Sequence, residues 1–128
     1  MTEPQRTATC PGPVDLAAAL VGVTEPWSPL TVALLNDYDV RVVKVLGEFT
    51  RHSHPDTDEL FLVLRGTMTI RADDGDVDLG PGQLHVVPRG VPHRPSSVDG
   101  ADVVLIEPSE TVNTGDNPGD MTAVRRVR

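Results

Sequence analysis

From position 30 to 106 the chain repeats one pattern, four to seven residues rich in Val, Leu, Ile or Thr followed by a turn. The apolar segments fall at 31–35, 40–46, 48–54, 59–64, 67–71, 76–79, 83–87 and 101–106. Between them stand Asn36-Asp37, Asp73-Asp74-Gly75, Gly80-Pro81-Gly82 and Arg89-Gly90. Short β-branched segments read as strands, and clusters of Gly, Pro, Asn and Asp read as chain reversals. Ahead of them, Asp15 precedes Leu16-Ala-Ala-Ala-Leu-Val-Gly22, a short helical pattern with a capping residue and a glycine stop. Glu25-Pro-Trp-Ser-Pro29 reads as a rigid linker or edge segment. Residues 1–13 lack periodicity and read as a mobile tail. Residues 112–128 are rich in Asn, Gly, Asp and Pro and read as loop with a basic end. The pattern predicts an all-β fold, an antiparallel sandwich or barrel with one short N-terminal helical segment. It divides the chain into a tail and helix at 1–29, a barrel at 30–108 and a closing loop segment at 109–128.

Length and composition narrow this picture. The 128 residues make one domain, able to bury its own core without a disulfide framework. The single cysteine, Cys10, has no internal partner. Aromatic residues are only 3%, so the core is aliphatic. The longest uncharged apolar run covers 16–24, far short of the roughly 20 residues of a membrane span. No basic and then apolar leader opens the sequence, and a cytoplasmic location is the expectation. The formal charge is −8, which disfavours nucleic acid but not an anionic small molecule, since a bound cation inverts the local field.

The chemistry gathers on histidine. His52 and His54 are two residues apart, which on a strand places both on one face. Glu59 follows a Pro55-Asp56-Thr57 turn and opens the next apolar strand, so a hairpin brings it beside the pair. His93 arrives after Pro88 and Pro92. Three neutral imidazoles and one carboxylate converging in a barrel make a divalent-metal site, with two positions of an octahedral ion left for water or substrate.

These residues resemble a known family. Gly47-x4-His52-x-His54-x4-Glu59-x6-Gly66 is similar to the first cupin signature, and Gly82-x5-Pro88-x-Gly90-x2-His93 to the second. The two stand in order, 15 residues apart. The resemblance covers roughly 30–106 and implies a small jelly-roll β-barrel with His52, His54, Glu59 and His93 as ligands to Mn, Fe, Ni, Zn or Cu. Two departures lie outside the ligand positions. Four residues rather than five separate Gly47 from His52, and Ser97 stands where the family often has Asn. Trp27-Ser-Pro29, Leu35-Asn-Asp37, Lys44, Gly47-Glu-Phe49, Asp58-Glu59, Val87-Pro88, Glu107-Pro108 and Asn113-Thr-Gly-Asp116 also resemble a group of small bacterial single-domain cupins labelled mannose-6-phosphate isomerase-like. That label reflects fold more than chemistry.

Other residues divide between a chemical and a structural reading. Lys44 is the only lysine and shares strand parity with His52 and His54 if the strand runs unbroken through Gly47. It is then a base or an anchor for a substrate anion. Otherwise, if Gly47 bulges, it is an exposed strand residue. Glu48 has the same parity and the same two readings. Glu59 is a candidate proton carrier as well as a ligand. His85 reads as a packed strand residue rather than a donor to the site, Asp56 and Asp58 as turn charges, and Asn113-Thr-Gly-Asp116 as a structural turn. Leu60, Leu62 and Leu64 share the face opposite Glu59, Phe61 and Val63, and need a second sheet, the N-terminal segment or a partner chain to cover them. A homodimer is the expectation. The expected function is a metal-dependent enzyme of isomerase, lyase or dioxygenase type, acting on a small oxygenated, anionic substrate. The alternative is a non-enzymatic module binding a small ligand or metal.

Overall fold

A computed structural model describes residues 12–128. Cys10 and most of the segment read as a tail lie outside the described residues. The helix is α1 (Leu16–Val21), where Asp15 accepts the Ala18 N–H at 3.0 Å and Gly22 follows as the cap. The strands are β1 (Leu30–Leu35), β2 (Tyr38–Glu48), β3 (Glu59–Gly66), β4 (Met68–Ala72), β5 (Val77–Leu79), β6 (Leu84–Val87), β7 (His93–Pro108) and β8 (Arg126–Val127).

β7 organises the sheet. It pairs with β2 on one side, and on the other with β4 near its start and β3 near its end. β3 also pairs with β6, β4 with β5, and β1 with β2. These pairings are antiparallel, and the fold is an all-β jelly roll. The β1–β2 hairpin turns at Asn36, whose positive φ of 54° suits a tight two-residue reversal.

Two apolar layers follow from the strand period of two. Val43, Val45, Phe61, Val63, Ile70, Val103 and Leu105 face inward and fill the barrel. Val42, Val32 and Val104 face outward and meet Ala19, Leu20 and Val23 of the helical segment. Leu62 and Leu64 pack against the rim of this outer layer, so the N-terminal segment covers part of the leucine row.

Three readings of the sequence are corrected. The segment 48–54 is not a separate strand: β2 ends at Glu48, and beyond it only His52 makes an isolated bridge, to His93. β7 begins at His93 rather than 101, because Pro95 and Gly100 bend a strand that changes partners instead of ending it. The closing segment is not all loop, since β8 pairs parallel with β1.

Candidate metal centre

His52, His54, Glu59 and His93 converge inside the barrel, with one ligand atom from each within 4.8 Å of all the others. The β3 ladder aims Glu59 inward beside Phe61. His93 opens β7, and its backbone exchanges two hydrogen bonds with that of His52, at 2.8 and 3.0 Å. That bridge takes the place of the strand that 48–54 does not form.

The ring nitrogens are assigned by their partners. His52 Nδ1 lies 2.9 Å from the Thr50 carbonyl, and His93 Nδ1 lies 2.9 Å from that of Val91. A carbonyl only accepts, so both rings carry the proton on Nδ1 and leave the Nε2 lone pair free. His54 Nε2 and His93 Nε2 stand 3.2 and 3.4 Å from Glu59 Oε1. Among the described residues none of these three buried atoms has a hydrogen-bond partner. Buried polar atoms without partners are rare in native proteins and ask for an explanation. Three that face one another, all of ligand type, fit a divalent cation.

The electrostatics agree. Burial pushes the Glu59 carboxyl up, but the His54 and His93 rings beside it outweigh this and hold it below the ordinary carboxylate range. Burial drives His52 down to about 4, so its ring is neutral at pH 7 as a ligand must be.

Behind Glu59 lies a polar group given no role from the sequence alone. Glu107 is fully buried with its carboxyl against that of Glu59. Arg41 donates to Glu107 Oε2 at 2.8 Å and to Asp39 Oδ2 at 3.1 Å. Thr31, Ser109 and Arg125 complete the shell of Asp39. Burial and then the Glu59 charge raise Glu107 well above the usual carboxylate value. A signal for this network is present in β2, where Asp39 and Arg41 share the inward parity of Val43 and Val45.

Two candidates fall outside the site. The left-handed φ of 76° at Gly47 and a register shift between Val45 and Gly47 break the strand parity. Val43 and Val45 therefore line the cavity, whereas Lys44 is half-buried on the opposite face, across from Asp102. Glu48 is exposed and pairs with Arg94 at 3.1 Å. Neither lines the cavity beside the histidines. His85 is half-buried opposite Phe61 and lines a separate depression with Val77, Val87 and one side of His93.

The cavity above the ligands is walled by Trp27, Val43, Val45, Phe49, Phe61 and Leu105. Its free space is about 30 Å³, room for one or two waters. Trp27 stacks on Phe49 at 4.8 Å between ring centres, and Phe49 meets His52 edge-on at 5.4 Å. Among the described residues no Lys or Arg lines it.

Comparison with known proteins agrees with this architecture. A family model described as "Cupin domain" matches residues 40–109, and the chain belongs to that family. An uncharacterized protein of Bacillus subtilis, YdbB, is 34% identical over 84 residues, 65% of this chain and 74% of that protein. A cupin-2 domain containing protein from Shewanella frigidimarina superposes with a TM-score of 0.73 at 38% identity, over 74% of this chain and 93% of that one. NMB1881 from Neisseria meningitidis gives 0.70 at 31% identity, over 77% and 100%.

Proposed function

We propose that this cupin is a metal-dependent enzyme for a small oxygenated substrate, with His52, His54, Glu59 and His93 holding one divalent ion. The observation that carries the reading is the set of buried, partnerless atoms His54 Nε2, Glu59 Oε1 and His93 Nε2 facing one another beside the Nε2 lone pair of His52. Such an ion supplies Lewis acidity, and with iron, nickel or copper also redox chemistry. The chain's own residues do the rest. The Thr50 and Val91 carbonyls fix the His52 and His93 rings. Trp27 and Phe49 keep bulk water from the ligands and must shift to admit more than a few atoms. Glu59, ionised and at the cavity edge, is the residue placed to take a proton from a bound substrate.

The apolar walls support a compact, largely apolar substrate, and two open positions on an octahedral ion would suit two neighbouring oxygens. Any negative charge on it is met by the ion, because Lys44 is directed elsewhere and, among the described residues, no other cationic side chain lines the cavity. That argues against a sugar phosphate, and so against carrying an isomerase activity over from the mannose-6-phosphate isomerase-like label. A homodimer and a cytoplasmic setting belong to the same proposal. The face bearing Leu60 and Leu62 continues onto Leu84 and Val86 of β6, which are 57% and 42% exposed and offer a second copy an apolar surface.

The second reading, a module that binds metal or a small ligand without turnover, is favoured by the small free volume over the ligands. The test is reconstitution with Mn, Fe, Ni, Zn or Cu in turn. One ion per chain, partly lost in His54→Ala, is expected. Sub-stoichiometric metal under every condition overturns the reading. Product formed from a compact dicarbonyl or hydroxy-carbonyl compound identifies the enzyme, whereas saturable binding without product identifies the module.

A further inference from the structure

We infer that the turn at residues 113–117 is a clamp for the ligand-bearing loop, and that Asp116 is a positioning residue for His52 and His54. This rests on the reading of those histidines as metal ligands. A ligating side chain must be held within roughly half an ångström of its working place, and a loop does that only when braced from outside. Residues 49–58 have no strand ladder of their own apart from the His52–His93 bridge.

The bracing comes from the closing segment. Ser53, the residue between the two histidines, donates its N–H to Asp116 Oδ1 at 2.8 Å and its hydroxyl to Asp116 Oδ2 at 2.8 Å. The Asp116 N–H returns a bond to the Ser53 carbonyl at 3.0 Å. Three hydrogen bonds thus fix a single residue flanked by both rings. Asn117 extends the grip, donating at 2.9 Å to Thr50 Oγ1 and at 2.9 Å to the Arg51 carbonyl. Thr50 is also the residue whose carbonyl sets the His52 tautomer.

Gly115 allows the turn to lie flush on the loop. Its φ is +54°, and a Cβ there would stand 2.2 Å from the Ser53 carbonyl oxygen and 3.0 Å from Cδ2 of the His52 ring. The turn is itself anchored. Thr114 is fully buried with its hydroxyl 2.7 Å from that of Thr122, and Asn113 donates to the Trp27 and Met121 carbonyls. The segment therefore ties the loop that carries two ligands to the Trp27 backbone at the cavity wall. It lies beyond residue 109, where the family match ends.

The test compares Asp116→Ala, Asp116→Asn and Ser53→Ala with the parent protein. Two quantities are read, the Zn affinity by competition with a chelating dye and the imidazole nitrogen resonances of the metal-free proteins. Asp116→Ala should lower Zn affinity at least 10-fold, the scale seen when a residue supporting a ligand is removed. It should also move or broaden the His52 and His54 resonances while leaving His85 in place. Asp116→Asn should recover most of the affinity, because its amide oxygen still accepts the Ser53 N–H and its NH2 can donate to the Ser53 hydroxyl. Ser53→Ala, which keeps the N–H bond, should show a smaller loss and remains readable if Asp116→Ala does not fold. Unchanged affinity and unchanged His52 and His54 resonances in both alanine variants overturn the clamp. If the parent binds no Zn or other divalent ion, the metal reading fails. The resonances still decide the clamp, with movement supporting it and none overturning it.

Discussion

Glu107 sets its buried carboxyl against that of Glu59 while its Oε2 takes the Arg41 guanidinium at 2.8 Å. Two carboxyls in contact within a barrel do not both ionise at neutral pH without large cost. The imidazoles beside Glu59 hold its carboxyl below the ordinary range, whereas burial and then the Glu59 charge raise that of Glu107. Arg41 stands between the two acids, 2.8 Å from Glu107 Oε2 and 3.1 Å from Asp39 Oδ2.

That division of charge predicts opposite outcomes for two substitutions. Glu107→Gln imitates the neutral acid and should change unfolding free energy by no more than about 1 kcal/mol. Arg41→Met strips a buried guanidinium from Asp39 and from the Ser109 and Thr111 carbonyls, and should cost about 3–5 kcal/mol. Urea unfolding curves of the two variants check this. A Glu107→Gln protein as unstable as Arg41→Met would mean that Glu107 is ionised.

Metal-free protein should lose stability as the pH falls from about 6.5 toward 4. His52 is held at about 4 by burial in the fold, against 6.5 when unfolded, so in that window the unfolded chain takes up the proton first. The contribution is complete above pH 6.5, and its loss by pH 4 is on the order of 3 kcal/mol. Asp39, held below the usual range, adds a further loss at lower pH. Glu107 acts in the opposite sense, its contribution being full below the ordinary carboxylate pKa and fading as pH rises toward its folded value. Urea midpoints of the parent and His52→Asn between pH 4 and 7.5 isolate the His52 term. Parallel curves would show that His52 does not carry it.

Lys44→Met and Glu48→Gln should leave metal content unchanged. Lys44 points away from the cavity, and Glu48 makes a surface ion pair of the kind worth about 0–1 kcal/mol. Thermal melts should shift by no more than a few degrees. Loss of the ion in either variant would return these residues to the site.

Light scattering of the parent protein at high micromolar concentration should give the mass of two chains. The double substitution Leu84→Lys with Val86→Lys should give one, with the far-ultraviolet spectrum unchanged. Both side chains are already solvent-facing in the single chain, so charge there opposes association without disturbing the core. A monomeric parent refutes the dimer.

Much of the fold was readable because Gly, Pro and Asn-Asp turns punctuate the sequence wherever a strand ends. The four ligand candidates were readable for a different reason. Four histidines in the chain leave little scope for accident, and three of them fall in register with Glu59. Parity failed at Lys44 because a single residue in left-handed conformation, Gly47, reverses every face assignment beyond it. The start of β7 was hidden because Pro95 and Gly100 look like breaks, whereas the strand uses them to exchange β4 for β3. The closing segment gave no periodic signal at all. Its order comes from side-chain hydrogen bonds to distant backbone, such as Asn113 to Trp27 and Asp116 to Ser53, and spacing does not encode those.

The Asp39 shell joins residues that are synthesised far apart in time. Arg41 is made two residues after Asp39, but Arg125, which donates to both Asp39 oxygens at 2.7 and 3.0 Å, is made 86 residues later. At about 5–20 residues per second that interval is about 4–17 s. Throughout it, the inward end of the β1–β2 hairpin holds a carboxylate whose second cation has not yet been synthesised. Until then Arg41 is the cation already at hand for Asp39. The shell of Asp39 is therefore complete only once residues 125–127 have reached β1.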